Sequence, residues 1–281
     1  MFGTAIALVL GSGVVHSIWN LYTKRSMNKN VFLWFCQLIA AIVFLPWAIV
    51  EWDGSSLTAG GAGWIVASIA LHGLYIVLLA AAYTAGDLSQ VYPIMRGTSP
   101  LLVPIVGVAA LGERLSLLGW AGVLVILLGI GSLGKNVKIS RHTSAKAPLL
   151  ALAVGICIAS YIVIDKIAIQ YTSAIVLNEA TNIGNFLILT WAVWKAKGSI
   201  GIEWKTNWRI MLLGGIMAPG GYLLFLFALS LAPVAQLAPM REIGTVFGTL
   251  MGIFILREEQ GKSRMTASLL ITAGIILLGF A

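Results

Sequence analysis

Residues from about Arg96 to Gly134 reappear 145 positions further along the same chain. Arg96 matches Arg241, Gly107 matches Gly252, and Leu111-Gly112-Glu113 answers Leu256-Arg257-Glu258. Leu124, Ile126, Gly129 and Gly134 find Leu269, Ile271, Gly274 and Gly279 at the same offset, while Gln90 and Pro93 meet Gln236 and Pro239 one residue later. A long internal repeat of this kind restricts the chain to architectures built from two related units. Residues 1–140 and 141–281 are the natural halves, divided by the polar linker Lys135 to Lys146.

The composition of those units fixes their solvent. Hydrophobic residues make up 59% of the 281 and charged residues 10%, far below the roughly 25% charged residues of ordinary soluble domains. Such a chain cannot cover itself with a polar surface and must face lipid. A bilayer core of about 30 Å takes about 20 apolar residues in a helix. Ten such spans are predicted at 4–22, 31–50, 63–84, 88–111, 116–134, 147–167, 174–194, 208–230, 233–256 and 265–280. The sequence therefore predicts an all-α integral membrane protein. Its ten transmembrane helices form two five-helix repeats around a central cavity. Because five is odd, the second repeat enters the membrane inverted. Residues 1–22 lack a basic start and a small-residue cleavage site, so they read as a span and not as a cleaved leader.

Fourteen Lys and Arg residues fall on the side of the odd-numbered loops, against Arg114 and Lys166 on the other. The positive-inside rule then places the odd loops in the cytoplasm and both termini outside, in a multi-pass protein of the inner (plasma) membrane. The net charge of +8 is thus a topology signal, and no basic stripe on a soluble segment predicts a nucleic-acid partner. Cys36 and Cys157 lie inside apolar spans and read as small buried hydrophobes. No metal-ligand cluster, P-loop or dinucleotide fingerprint appears, so neither cofactor nor metal is expected, and enzymatic chemistry is not predicted. The expected partners are a small-molecule substrate and the bilayer. Gly244, Gly248 and Gly252 recur on one face of the ninth span, and would serve close helix packing within the chain or in a homodimer.

Charged groups at helix centres cost at least about 2.5–3.5 kcal/mol on insertion scales, so they are functional candidates. Arg96 and Arg241 lie some eight residues into the fourth and ninth spans, after Gln90, Tyr92 and Pro93 in one case and Gln236 and Pro239 in the other. Proline frees an upstream carbonyl and suits a helix that lines a polar cavity. Each guanidinium could hold a carboxylate or phosphate of a cargo. The competing structural reading pairs Arg241 with Glu242 or carries it to the interface. On the seventh span Asn178, Asn182 and Asn185 share one face, bordered by Glu179. Glu179 and Glu242 are candidates for a coupling proton or a substrate amine, against a packing role for the whole polar face. His16, Trp19 and Asn20 share a face of the first span, and His72 and Tyr75 lie on the third with Ser68 below. Tyr222, with Tyr83 and Tyr161, lies deep beside these positions. Asp165-Lys166 reads as a local ion pair at the interface. Trp47, Trp52, Trp64, Trp191, Trp194, Trp204 and Trp208 read as an interfacial belt.

The run Gly86-Asp87-Leu88-Ser89-Gln90-Val91-Tyr92-Pro93-Ile94-Met95-Arg96-Gly97, followed by Pro100 and Gly112-Glu113-Arg114-Leu115, resembles the signature of the EamA-like branch of the drug/metabolite transporter superfamily. His16-Ser17-Ile18-Trp19-Asn20 with Lys24 is similar to the start of many bacterial members. The resemblance spans essentially the whole chain and implies secondary transport of small metabolites or drugs, often export, through a cavity between the halves. The second half departs from the pattern, with Ala238 where Tyr92 stands and Arg257-Glu258-Glu259 for Gly112-Glu113-Arg114. The expected activity is alternating-access export of a zwitterionic or anionic metabolite, with proton coupling. The rivals are a multidrug exporter of lipophilic cations, which would depend on Glu179, and a lipid-linked carrier flippase, which would need a lateral groove.

Overall fold

A computed structural model describes residues 1–23, 26–54, 58–85, 88–133, 146–195, 200–254 and 261–281. Within them every regular element is an α-helix. The first half holds α1 (Phe2–Thr23), α2 (Lys29–Glu51), α3 (Ala59–Ala85), α4 (Leu88–Ala110) and α5 (Leu117–Leu133). The second holds α6 (Ala147–Ala168), α7 (Ala174–Lys195), α8 (Ile200–Leu231), α9 (Val234–Met240), α10 (Ile243–Phe254) and α11 (Gly261–Gly279). Among the described residues a helix lies over each of the ten predicted spans, and the ninth is divided in two. Five of the helices (α1, α2, α3, α6 and α8) are long and apolar enough to cross a bilayer. Outward side chains such as Val50, Leu128 and Trp194 are large, apolar and well exposed, as lipid-facing residues are.

Local chemistry sets several boundaries. Asn28 caps α2, its Oδ1 accepting from the Val31 amide at 3.3 Å, which satisfies one of the orphan donors of a first helical turn. Pro239 lies just before the division of the ninth span. It has no N–H to give the Ala235 carbonyl, and the next residues switch to three-residue hydrogen bonds. The Glu242 amide reaches Pro239 O at 3.0 Å, and the Gly244 amide reaches Arg241 O at 3.1 Å. Arg241 and Glu242 form the turn between α9 and α10.

The helices pack as α1 on α8, α3 on α6, α2 on α7, α5 on α11, and α4 on α6 and α9, with α10 on α1. This set maps onto itself when the halves are exchanged, α1 on α8 becoming α6 on α3. Small residues allow the closest crossings. A Cβ on Gly274 would lie 2.6 Å from the Gly122 carbonyl oxygen, and one on Gly129 would lie 3.0 Å from that of Ala267. Gly129 and Gly274 are 145 residues apart, as are Gly122 and Ala267, so the two contacts are exchanged by the repeat offset. On the ninth span, a Cβ on Gly244 would meet Gly13 O at 2.6 Å, so this part of the predicted glycine face packs inside the chain, against α1.

One end of the bundle is tied by two charged side chains. Glu113 accepts from the Val234 and Ala235 amides, both at 2.8 Å, placing a carboxylate on the open amides at the start of α9. Gly107 leaves the space, since a Cβ there would stand 2.8 Å from Glu113 Oε2, and Gly112 makes the turn at φ +68. Lys166 Nζ donates to the Leu229 and Ala232 carbonyls at 2.5 and 2.9 Å, closing the end of α8. This overturns the predicted Asp165–Lys166 pair: neighbours in sequence leave a helix about 100° apart, and each finds a different partner.

Two substitutions test this packing. Gly274→Leu forces a side chain into a backbone contact and should cost about 1–3 kcal/mol. Glu113→Ala removes two charge-assisted hydrogen bonds and should cost about as much. Both should lower the thermal unfolding midpoint in detergent, whereas Leu128→Ala, on the outer surface, should leave it nearly unchanged.

Candidate functional site: a buried charge cluster joining the halves

The turn between α9 and α10 carries two charges into the interior: Arg241 is 8% exposed and Glu242 4%. Burying either alone would cost several kcal/mol, so each must find partners. Arg96 of α4 supplies one, its Nε 3.3 Å from Glu242 Oε2. Thr245 donates to the same oxygen at 2.8 Å. Arg241 Nε donates to Ser12 Oγ of α1 at 3.2 Å. Its guanidinium carbon lies 4.6 Å from the Phe225 ring centroid and 5.1 Å from that of Tyr222, within cation–π range. Both arginines lie some eight residues, roughly 12 Å, from the start of their spans. Arg241 is within electrostatic reach of Glu242, but it is the arginine of the other half whose nitrogen stands at ion-pair distance from that carboxylate.

A second carboxylate lies beside this group. Asp165 of α6 is wholly buried and accepts from three side chains. Ser68 of α3 donates at 2.5 Å, His72 Nε2 lies 3.0 Å from Oδ2, and the Tyr222 hydroxyl of α8 donates to the same oxygen. Tyr161 stacks on His72 at 4.1 Å, and Tyr75 meets Tyr161 edge-on at 5.6 Å. Tyr161 is within electrostatic reach of Arg241, Asp165 and Arg96, and His16 of α1 is within reach of both arginines. The cluster thus sets two guanidiniums against two carboxylates, drawn from both halves.

Of the predicted positions, Arg96, Arg241, Glu242, His16, His72, Tyr75 and Tyr222 come together here. Four others go elsewhere. Trp19 stacks on Phe32 at 5.5 Å in an apolar cluster with Cys36, Ile39 and Met211. Gln236 donates to the Leu278 carbonyl of α11. Asn182 donates to Glu179 Oε2 at 3.4 Å, and Glu179 faces α2, beside Leu45, Ala48 and Ile49. The side chains of Asn20, Gln90 and Tyr92 lie outside the described residues, as do those of Tyr83 and Lys24.

The important residue that sequence reasoning missed is Asp165, taken there for an interfacial group. A signal existed. The 145-residue offset maps Asn20 onto Asp165 and His16 onto Tyr161, so the polar face noted on the first span recurs on the sixth.

Comparison with known proteins identifies the class. The sequence matches the EamA-like transporter family over residues 3–134 and again over 145–280. The chain belongs to that family, and is a multi-pass membrane transporter of the drug/metabolite type. Among solved structures 28 chains match it. One crystal structure superimposes with a TM-score of 0.76, covering 98% of this chain and 96% of its own length at 16% identity, a likeness of fold alone. No curated protein matches the sequence.

Asp165→Leu would leave the donors of Ser68, His72 and Tyr222 without an acceptor and should destabilise the protein by about 3–5 kcal/mol. Asp165→Asn retains an accepting oxygen and should cost distinctly less. Thermal unfolding of the two purified variants in detergent checks the order.

Proposed function

We propose that this transporter exports a small zwitterionic or anionic metabolite by alternating access, with the Arg96–Glu242–Arg241 cluster as its cargo site and a proton as the coupling ion. The observation that carries this reading is the Arg96–Glu242 pair, which joins the fourth and ninth spans across the two halves. Glu242 occupies the guanidinium that a cargo carboxylate would take. An amino acid or similar zwitterion displaces it by placing its carboxylate on Arg96 and its ammonium on Glu242. The exchange leaves the net charge of the site unchanged, which matters where charge is costly to bury. Arg241 supplies the second guanidinium, held over Tyr222 and Phe225.

The halves are proposed to be an inverted pair, divided at about residue 140, that rock about this site. Support comes from the packing set that survives exchange of the halves and from the Gly122–Gly274 and Gly129–Ala267 contacts that the offset interchanges. With the odd loops assigned to the cytoplasm of an inner membrane, Glu113 and Lys166 tie the outer ends of α4, α6, α8 and α9 together. Asp165 and His72 are the proposed holders of the coupling proton, because they bridge α6 and α3 and touch the cargo site through Tyr222.

Proteoliposomes supplied with labelled neutral, acidic and basic amino acids test the proposal. Saturable flux of neutral or acidic solutes is expected. Arg96→Ala and Arg241→Ala should each reduce it at least about 30-fold, the equivalent of 2 kcal/mol for truncating one member of a buried charged pair. Glu242→Gln should shift the preference from zwitterionic toward anionic solutes. Absence of saturable flux for every such solute, or unchanged flux in both arginine variants, would overturn it.

A further inference from the structure

Two pairs of spans are each tied twice, once in the interior and once at the end of the even-numbered loops. Between α4 and the ninth span, Arg96 meets Glu242 inside, and Glu113, in the turn after α4, accepts from the Val234 and Ala235 amides at that end. Between α6 and α8, the Tyr222 hydroxyl donates to Asp165 inside. Lys166, the next residue, donates to the Leu229 and Ala232 carbonyls at the same end. Tyr222 and Leu229 are seven residues apart on α8, so the two ties are separated by roughly 10 Å. The inner contacts belong to the cluster proposed to hold cargo and proton; the outer ones do not. Both outer side chains grip one feature, the turn from Leu229 to Ala235, and both grip it by its main chain. Helix ends offer such unpaired carbonyls and amides, and water satisfies them equally well. Glu113 and Lys166 are only partly buried, whereas Asp165 and Glu242 are enclosed. Lys166 is also within electrostatic reach of Glu113, so each charge steadies the other across the turn. A contact that water can replace at both partners is built to open.

We propose that Glu113 and Lys166 form a latch closing the even-loop end of the transport path, and that the α8–α9 turn must leave both for cargo to pass there. This rests on the alternating-access reading above and adds the device that controls it. Cargo that displaces Glu242 from Arg96, and a proton that neutralises Asp165, loosen the inner contacts. The latch is then left to hold α4 to α9 and α6 to α8. A carboxylate at the opposite end supplies a control. Glu203 of α8 accepts from the Asn28 amide at 2.8 Å and from Asn207 Nδ2 at 2.6 Å, joining α8 to the start of α2 and not to α4 or α6.

The test is a distance measurement on the full-length protein in nanodiscs, without cargo. Cys36 and Cys157, both buried, are replaced by alanine. Spin labels are placed at Leu117→Cys and Leu231→Cys, which flank the latch and are 90% and 38% exposed. Double electron–electron resonance should give a short distance in the latched protein. Glu113→Gln puts an N–H where one of the two amides needs an acceptor, and Lys166→Met removes the ammonium. Each should raise the ratio of long to short distances at least about tenfold, while Glu203→Gln should leave it unchanged. An unchanged distribution in either latch variant would overturn the proposal. So would an equal shift in Glu203→Gln, which would mark a general loosening of the bundle. Should a latch variant fail to fold, Gly107→Ala decides, because its Cβ would stand 2.8 Å from Glu113 Oε2 and crowd the carboxylate without changing charge. The long distance should gain in that variant, and a distribution like that of the wild type would reject the latch. Since no cargo is present, the result is separable from the flux experiment. Absent flux would remove the cargo assignment alone, and an unshifted distance would remove the latch alone.

Discussion

An ion kept out of water must be neutralised by its neighbours, and this requirement organises the interior of the bundle. Arg96, Arg241, Glu242 and Asp165 come from α4, the α9–α10 turn and α6, and none could be buried alone. Their partners reach further, to Ser12 on α1, Ser68 and His72 on α3, and Tyr222 on α8. Six spans are therefore fixed in relation to one another by a few polar contacts. In a bilayer such contacts matter, because apolar side chains gain little from exchanging lipid for protein.

The break in the ninth span lets that network close. An unbroken helix would keep Arg241 and Glu242 about 100° apart on one cylinder. The turn after Pro239 instead sends Glu242 toward Arg96 and Arg241 toward Ser12 and Tyr222. Gly13 on α1 makes room for the turn, since a Cβ there would stand 2.8 Å from the Arg241 carbonyl oxygen. A turn in one half and a glycine in the other thus set the positions of two charges. The fourth span has Pro93 at nearly the equivalent place and remains one helix, so the two halves meet the site differently.

Much of this was legible in the sequence. The ten spans follow from hydropathy and length, and the two arginines stand out because the repeat offset superimposes them. Depth along a helix can be counted from residue numbers; the direction a side chain takes around the axis is settled only by its neighbours. Asp165 lies two residues from the predicted end of its span and was read as interfacial. Ser68, His72 and Tyr222, from helices distant in sequence, enclose it. Glu179 posed the same difficulty. Periodicity placed it beside an asparagine face, but the partner of that helix, α2, decides that it lies beside Leu45, Ala48 and Ile49. Trp19 shares a helical face with His16, yet Phe32 and Gly214 capture its ring.

The two self-paired seams of the bundle are unlike each other. Along α5 and α11, glycines bring main chain against main chain with nothing between to compress. Along α2 and α7, bulky side chains stand apart and leave a cleft lined by Leu45, Ile49, Trp52 and Ile183. The two seams share no principal packing neighbour, so they lie at opposite ends of the bundle's cross-section. A change in lateral pressure or bilayer thickness would meet a stiff spine at one end and a yielding joint at the other. Mechanical sensitivity to the surrounding membrane should therefore concentrate where the cleft is.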